Sequence, residues 1–270
     1  MLIMGATMVW FIGSYLTSPT PSGPFTRPDI ATAVSFESES GSNTKGWLFE
    51  SENPTAAVLL LHGKDASRMA MLDRAKRFHS MGFATLSIDF QAHGESDGER
   101  VTLGLLESLD VSASIDFLES RYSDIPLIAL GVSLGGASLL LSDSTDKPEL
   151  LILESVFPDI NSAIANRLNS VVPYGGLLSP LLTLQLGVRL GKPASWFSPV
   201  ESAGKVKMPT LILSGADDNR TTPEDTQKIY DALAGPKEMV LMDGIGHDDL
   251  ELHGRDQYWI VVENFIKKHL

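Results

Sequence analysis

Short apolar runs alternate with helical patterns along most of this 270-residue chain, and this alternation strongly constrains the fold. Six runs predict strands, at 57–62, 84–88, 127–132, 150–154, 210–214 and 239–242. Five patterns predict helices, at 67–81, 105–120, 134–143, 224–234 and 255–269. Apolar strands separated by helices are typical of a parallel sheet covered on both faces. The sequence therefore predicts an α/β fold, with an antiparallel hairpin of residues 34–37 and 46–49 at the sheet edge.

The alternation breaks at about 155–208, between two predicted strands. Within this segment, residues 160–190 include only Arg167 and Arg189 as charged side chains, and apolar residues recur at helical spacing. We expect helices that pack on the body of the protein and on one another. A compatible interpretation makes this insertion a cap over an apolar acyl pocket, with residues 173–176 as the hinge of a lid.

Ser133 lies in the sequence Gly-Val-Ser-Leu-Gly-Gly, directly after a predicted buried strand and directly before a predicted helix. A tight turn there holds the serine in a strained backbone conformation and exposes its hydroxyl at the carboxyl end of the sheet. A serine hydroxyl is a poor nucleophile unless an imidazole takes its proton and a carboxylate orients that imidazole. We predict Ser133 as a nucleophile with such partners elsewhere in the chain.

His247 is the best candidate for the base among the six histidines. It follows the predicted strand 239–242 in a loop with two glycines, which suits an imidazole that turns back over the sheet. His253 lies near the start of the predicted last helix and His269 at its end, and we expect both on the surface. The sequence does not single out one residue as the acid, because Asp217 and Asp218 both follow the predicted strand 210–214 and either carboxylate could reach the imidazole.

Taken together, these motifs resemble those of the α/β-hydrolase superfamily, and in particular its serine hydrolases described as serine aminopeptidase-like or lysophospholipase-like. The resemblance covers about residues 34–270. It depends on motifs in family order: Leu-Leu-Leu-His62-Gly63, Asp89 to Ser96, Gly131 to Gly136, Gly215 to Asp218, and Gly246-His247. It implies a mostly parallel central sheet flanked by helices, with a helical cap insertion. The family usually has arginine where Gln91 stands, which puts the bracing of that loop in question.

The resemblance also implies a set of site residues. The family usually shows Gly-x-x-Asp after the strand that precedes the acid, which favours Asp218 over Asp217. Backbone N–H groups stabilise the oxyanion that forms on the substrate carbonyl. The amide of Leu134 and the amide of Lys64 are the expected donors, and His62 is expected to brace the loop that carries Lys64.

The implied function is a serine hydrolase of the carboxylesterase or lipase type. It would cleave esters through an acyl-enzyme. We expect the acyl group to be apolar, because the insertion has few charged residues to pair with a charged substrate. An aminopeptidase-like amide hydrolase is an alternative, with Glu154 or Glu201 as the anchor for a peptide amino group. An acyltransferase that uses the same residues and a hydrolase-like binding protein without turnover are further alternatives.

Composition limits the partners. A formal net charge of −13 argues against nucleic acid, whose phosphates would repel the chain. The absence of cysteine excludes disulfides, iron–sulfur clusters and thiolate zinc sites. No glycine-rich phosphate loop is present, so we expect no cofactor and no metal, and a small-molecule ester or amide as the substrate.

Residues 1–16 form an uncharged, largely apolar segment, which is shorter than the roughly 20 residues of a typical membrane span. A secretory signal usually has a basic leader, which this segment lacks. Residues 17–33 follow as a linker rich in Pro, Ser and Thr, and residues 34–270 as the α/β domain. We predict a membrane-associated protein held by its N-terminal segment. The alternative is a buried or lipid-grazing segment of a cytoplasmic or secreted enzyme.

Overall fold

The computed structural model describes residues 10–270. Eight of its strands lie close to the predicted ones, with differences at their ends, and two short strands, β1 and β6, were not predicted. They are β1 Thr20–Pro21, β2 Thr32–Glu37, β3 Asn43–Phe49, β4 Ala57–Leu61, β5 Ala84–Asp89, β6 His93–Gly94, β7 Leu127–Val132, β8 Leu150–Glu154, β9 Thr210–Gly215 and β10 Lys237–Met242.

Eight of these strands form one sheet in the order β10-β9-β8-β7-β4-β5-β3-β2. Neighbours from β10 to β5 are parallel, whereas β3 pairs with β5 and with β2 in antiparallel fashion. The predicted α/β fold and its edge hairpin are confirmed. Because the loops after parallel strands meet at one edge of the sheet, the loops after β4, β7, β9 and β10 lie along the same edge.

The helices follow the predicted pattern and cover the sheet. They are α1 (described over residues 10–16), α2 Leu72–Ser80, α3 Glu107–Glu119, α4 Leu134–Leu141, α5 Ile160–Asn169, α6 Ser179–Leu190, α7 Pro199–Ala203, α8 Pro223–Ala232 and α9 Leu250–His269. The last helix begins earlier than the predicted residue 255, because the Asp249 side chain accepts hydrogen bonds from two amides of its first turn. A kink at Arg255, with a φ of 44°, divides it.

Apolar side chains alternate between the two faces of the sheet, as the period of a strand requires. On β4, Leu59 and Leu61 belong to a core that contains residues of α3 and α4. Val58 and Leu60 belong to a second core on the other face, which contains residues of α2 and α9. Both cores are buried completely at these positions, so the sheet is a rigid base for the loops at its edge.

The insertion between β8 and β9 consists of α5, α6 and α7 with two short 3-10 turns, Gly175–Leu178 and Ala194–Trp196. A third apolar cluster joins it to the body. In that cluster Ile160, Ile164, Leu182 and Leu186 from the insertion pack with Leu134, the residue that follows the predicted nucleophile. The inner side of the insertion therefore lies next to the Ser133 turn.

The predicted linker is extended, but it is held on the body. Thr20–Pro21 pairs in parallel with His93–Gly94, and Val101 N donates a hydrogen bond of 3.0 Å to Thr17 O. Residues 1–9, which make up most of the predicted N-terminal segment, lie outside the described residues. In the part of the chain from residue 10 onward, no helix has the length and apolar character needed to cross a bilayer.

Candidate active site

Ser133 occupies a sharp turn between β7 and α4. Its backbone has a φ of 49° and a ψ of −107°, a strained conformation for a residue with a side chain. Ser133 N donates a hydrogen bond of 2.8 Å to Glu154 O, which fixes the turn to the neighbouring strand. A Cβ at Gly131 would lie 2.5 Å from Gly136 N, so only glycine allows this close approach. The serine side chain is half-buried at the edge of the sheet.

Asp218 and His247 meet at the same edge. His247 Nδ1 lies 2.8 Å from Asp218 Oδ2, and Asp218 Oδ1 accepts hydrogen bonds of 2.8 Å from the amides of Arg220 and Thr221. Asp218 is 2% exposed, whereas the side chain of His247 is partly open to solvent. Since an ionised carboxylate only accepts hydrogen bonds, Nδ1 carries a proton, and in the neutral form of the ring Nε2 has the free lone pair.

The other aspartate of this turn does not reach the imidazole. Asp217 is exposed, and the structure brings Asp218 rather than Asp217 to His247. Within residues 10–270, Ser133 Oγ and His247 make no hydrogen bond to each other. Catalytic hydrogen bonds of this kind commonly tighten only when the substrate binds. The structure therefore pairs Asp218 with His247 at the sheet edge that also holds the Ser133 turn, without a direct contact between the imidazole and the hydroxyl.

The two expected oxyanion donors belong to different segments, the start of α4 and the loop after β4. Leu134 is the first residue of α4, and its amide follows Ser133 directly. The loop after β4 approaches from the neighbouring strand, because a Cβ at Gly63 would lie 3.7 Å from Ser133 Cβ. Among the described residues, neither the Leu134 amide nor the Lys64 amide donates a hydrogen bond. Both remain available to an oxygen atom of a ligand.

His62 braces the loop after β4, as the sequence indicates. Phe90 N donates a hydrogen bond of 3.1 Å to Nε2, so Nδ1 carries the proton and donates to Gly63 O at 2.7 Å. Burial and the nearby His93 lower the pKa of His62 to about 3, although the bond to Gly63 opposes the shift. This imidazole stays neutral and holds the backbone next to Lys64.

Gln91 keeps its loop braced without the arginine that is usual in the family. Its Nε2 donates to Arg100 O at 2.9 Å and to Glu107 Oε1 at 2.6 Å, while its amide donates to Asp110 Oδ2 at 2.7 Å. The loop is therefore braced by an uncharged side chain and a backbone amide that donate to a carbonyl and to two carboxyl groups.

A buried charged network below the site is a feature that sequence reasoning missed. Arg74 Nη2 lies 2.8 Å from Glu154 Oε2 and 2.8 Å from Asp249 Oδ1, and the Tyr258 hydroxyl donates to Glu154 Oε1 at 2.6 Å. Although burial alone would lower the pKa of Arg74, the negative charge of Glu154 and its neighbours raises it well above the ordinary value. The spacing of residues in the sequence did not predict this network, because its members come from distant parts of the chain.

This network also changes the expectation for Glu154 as an anchor of a peptide amino group. Its side chain is 1% exposed and is occupied by Arg74 and Tyr258. The other candidate, Glu201, lies exposed on α7. Neither residue presents a free carboxylate in a pocket beside Ser133.

The model of the family described as serine aminopeptidase S33 matches residues 52–198, more than half of the chain. The chain belongs to this family of hydrolases. This match covers the Ser133 turn, the loop after β4 and most of the insertion.

Relatives and solved structures agree with this assignment. The chain is 24% identical over 241 residues to the uncharacterized protein YqkD of Bacillus subtilis, covering 87% of this chain and 79% of that protein. A structure of the esterase Pf2001 of Pyrococcus furiosus superposes with a TM-score of 0.74 at 20% identity, covering 94% of this chain and 98% of that one. The acetyl xylan esterase of Paenibacillus sp. R4 has a TM-score of 0.69 at 20% identity, covering 99% and 94%. The chain is a hydrolase with the α/β-hydrolase fold.

Proposed function

We propose that this protein is a serine hydrolase that cleaves carboxylic esters with an apolar acyl group through an acyl-enzyme intermediate. The observation that carries the proposal is the pair of Asp218 and His247, 2.8 Å apart, at the sheet edge that also holds the strained Ser133 turn. Three roles that nucleophilic catalysis needs are thus represented by residues from three separate loops.

In the first half of the reaction, Ser133 Oγ attacks the carbonyl carbon of the ester while His247 Nε2 takes the hydroxyl proton. The electron pair of the carbonyl bond moves to its oxygen, which accepts hydrogen bonds from the amides of Leu134 and Lys64. When the tetrahedral intermediate collapses, the bond to the leaving oxygen breaks and His247 gives that oxygen its proton. Asp218 holds the charged imidazole in place throughout.

In the second half, a water molecule attacks the acyl carbon and His247 takes a proton from it. The bond to Ser133 Oγ breaks, His247 returns the proton to the serine, and the carboxylic acid leaves. If an alcohol attacks in place of water, the same residues carry out acyl transfer. The ratio of carboxylic acid to transferred ester among the products would therefore distinguish hydrolysis from acyl transfer.

The preference for an apolar acyl group rests on the third cluster. Leu134 is buried there with Ile160 and Ile164 of α5 and with Leu182 and Leu186 of α6. These side chains pack on one another, so an acyl chain bonded to Ser133 would enter among them only when the insertion moves as a lid, and it would then gain free energy in proportion to its own apolar area removed from water. A charged acyl group would lose its hydration there without a matching partner.

Hydrolysis of peptides is less well supported by the same geometry. An aminopeptidase needs a group that binds the free amino terminus of its substrate, and Glu154 is already paired with Arg74. A non-catalytic binding protein would not need a strained serine at the same sheet edge as a His–Asp pair, because strain of this kind costs free energy.

The test is a set of p-nitrophenyl esters from acetyl to decanoyl, assayed beside aminoacyl anilides. We expect turnover of the esters, with kcat/KM rising as the acyl chain lengthens, and little turnover of the anilides. The Ser133→Ala variant should lose about 10³-fold or more of the ester activity. Full activity in that variant would exclude the mechanism, and faster turnover of anilides than of esters would favour the peptidase.

A further inference from the structure

The outer side of the insertion carries an unusual concentration of exposed apolar side chains. Of the sixteen large hydrophobic residues that are exposed among residues 10–270, eleven lie in two segments, α1 and residues 171–188. They are Trp10, Phe11, Tyr15, Val171, Val172, Tyr174, Leu177, Leu178, Leu181, Leu184 and Val188. A clustered apolar surface on a folded chain usually marks a place where another apolar phase or partner binds.

Helix α6 has two apolar sides with different surroundings. Leu182 and Leu186 are 1% exposed and pack inward with the cluster around Leu134. Leu181, Leu184 and Val188 follow each other at helical spacing on another side and are 54%, 68% and 74% exposed. The inward residues hold the helix on the protein, so the outward stripe is not needed for that packing.

Helix α1 lies against α6, next to this stripe. Arg189 Nη2 donates hydrogen bonds to Trp10 O at 3.2 Å and to Ser14 Oγ at 3.0 Å, and its guanidinium lies 4.4 Å from the centre of the Trp10 ring. Gln185 Nε2 also donates to Trp10 O, at 3.3 Å. Gln185 and Arg189 directly follow Leu184 and Val188 in the chain, which places α1 beside the exposed stripe.

The chain that precedes α1 is also apolar in sequence. Residues 1–9 contain no charged side chain, and Leu2, Ile3, Met4, Met8 and Val9 are apolar. The described part begins at Trp10, where α1 contacts α6. The N-terminal apolar segment therefore enters the described structure at the edge of the exposed stripe.

Charge distinguishes this side from the rest of the molecule. The chain has a formal net charge of −13, but residues 1–26 have no charged side chain. Residues 160–198 contain no Asp or Glu, and their charged side chains are Arg167, Arg189 and Lys192. Cations at the border of an apolar surface suit the phosphates of lipid headgroups. A symmetric contact with a second copy would instead bring like charges together.

We propose that α1 and the outer side of α6 form a lipid-binding surface that seats the cap on a phospholipid bilayer. The apolar stripe enters the interfacial region and the exposed Lys192 contacts lipid phosphates, while Arg189, which holds α1 on α6, adds positive charge at the border. Because the inner side of α6 packs beside Leu134, the cap lies between the bilayer and the Ser133 site. The surface is argued from exposure and charge and does not depend on the proposed ester hydrolysis.

The test measures binding of the full-length protein to vesicles by flotation. Every sample carries Ser133→Ala, so that hydrolysis cannot alter the lipids and binding is read separately from activity. The vesicles contain phosphatidylcholine with or without phosphatidylglycerol. We expect stronger binding with phosphatidylglycerol, and a loss of at least about tenfold in partitioning when Leu181, Leu184 and Val188 are all changed to Ser.

The matched control changes three exposed apolar residues elsewhere, Ile30, Leu252 and Ile260, to Ser. It should bind vesicles as the parent does, and circular dichroism checks that both triple variants are folded. Equal binding by the stripe variant and the parent would overturn the proposal and assign binding to another part of the chain. Absence of vesicle binding by the parent would also overturn it. If sedimentation then showed a dimer that the stripe variant abolishes, the stripe would be a contact between two copies of the chain.

Discussion

Two buried carboxylates at the carboxyl ends of neighbouring strands have different partners. Glu154 is the last residue of β8, and its side chain contacts the guanidinium of Arg74 and the hydroxyl of Tyr258. Asp218 follows β9, and its side chain contacts the imidazole of His247 and two backbone amides. Both side chains are almost fully buried.

The difference lies in what the partner can do. Arginine stays protonated, so the pair with Glu154 has a fixed charge and can only hold elements together. An imidazole can gain and lose a proton near neutral pH, so the pair with Asp218 can take part in proton transfer. Burial of a carboxylate therefore does not by itself indicate a catalytic role. The chemical nature and the exposure of its partner are the features that indicate one.

The largest expected effect belongs to Asp218. In Asp218→Asn the amide no longer stabilises a charged imidazole or fixes its tautomer, so we expect kcat for a p-nitrophenyl ester to fall by about 10² to 10⁴-fold. The free energy of unfolding should change much less than in a Glu154 variant. Steady-state kinetics and urea denaturation measure the two quantities on the same sample.

Asp217→Asn is the matched control, because Asp217 is the adjacent residue but is exposed. Its kcat should stay within about threefold of the parent value, as expected for a surface substitution. If Asp217→Asn were as damaging as Asp218→Asn, the assignment of the acid would be wrong.

The next largest effect concerns stability and not activity. Glu154→Gln removes one partner of a buried ion pair and leaves Arg74 with Asp249 and the partly buried Glu251. We expect the free energy of unfolding to fall by roughly 3 kcal/mol, as is typical when a buried pair is broken. The kcat of the folded fraction should stay within a few-fold of the parent. A large loss of kcat with unchanged stability would instead place Glu154 in the chemistry.

A third buried carboxylate extends the comparison to a group with neither an arginine nor a histidine as its partner. Asp110 accepts hydrogen bonds from the Ser40 hydroxyl at 2.6 Å and from Gln91 N at 2.7 Å. Burial raises the pKa of Asp110 from its ordinary 3.8 to about 6, although the bonds from Ser40 and Gln91 oppose the shift. Between these two values the folded state binds more protons than the unfolded state does.

The contribution of Asp110 to stability is therefore fully present below the unfolded pKa and is lost as the pH rises through about 6. Unfolding free energies of the parent and of Asp110→Asn should be compared from about pH 4 to about pH 7. The advantage of the parent over the variant should shrink by about 2 to 3 kcal/mol across that range. A difference that does not vary with pH would contradict the raised pKa.

The smallest expected effect concerns the second partner of Glu154. Tyr258→Phe removes the hydrogen bond that the hydroxyl donates to Glu154 Oε1 and the one that it accepts from Arg74 Nε at 3.2 Å, and leaves the ion pair of Glu154 and Arg74 intact. We expect a loss of about 1 to 2 kcal/mol in the free energy of unfolding, because the carboxylate loses one donor but not its charge partner. A loss as large as that of Glu154→Gln would show that the tyrosine, and not the arginine, carries the stability of the network.

The sequence predicted the parts of this molecule that depend on local pattern. Runs of apolar residues located the strands of the sheet, and the glycines around Ser133 located its turn, because each signal lies within a short stretch of chain. The choice between Asp217 and Asp218 required the resemblance to a family. Both residues follow the same strand, and only the turn geometry decides which side chain faces His247.

Contacts between distant residues could not be predicted in this way. Arg74 and Glu154 are 80 positions apart, and Arg74 and Tyr258 are 184 positions apart. Residues 17–28 gave only the composition of a linker, because their pairing with His93–Gly94 uses backbone groups that every residue has. The exposure of the α6 stripe could not be predicted from the sequence either, since Leu182 and Leu184 are the same residue type on different sides of one helix.

The account depends on Ser133 as the group that becomes acylated, and covalent trapping tests this most directly. The protein is treated with a fluorophosphonate, and the modified residue is identified by mass spectrometry of the intact chain and of its peptides. We predict one adduct per chain, on Ser133, formed much more slowly in Asp218→Asn. An adduct on another residue, or none on a folded protein that still turns over esters, would contradict the account.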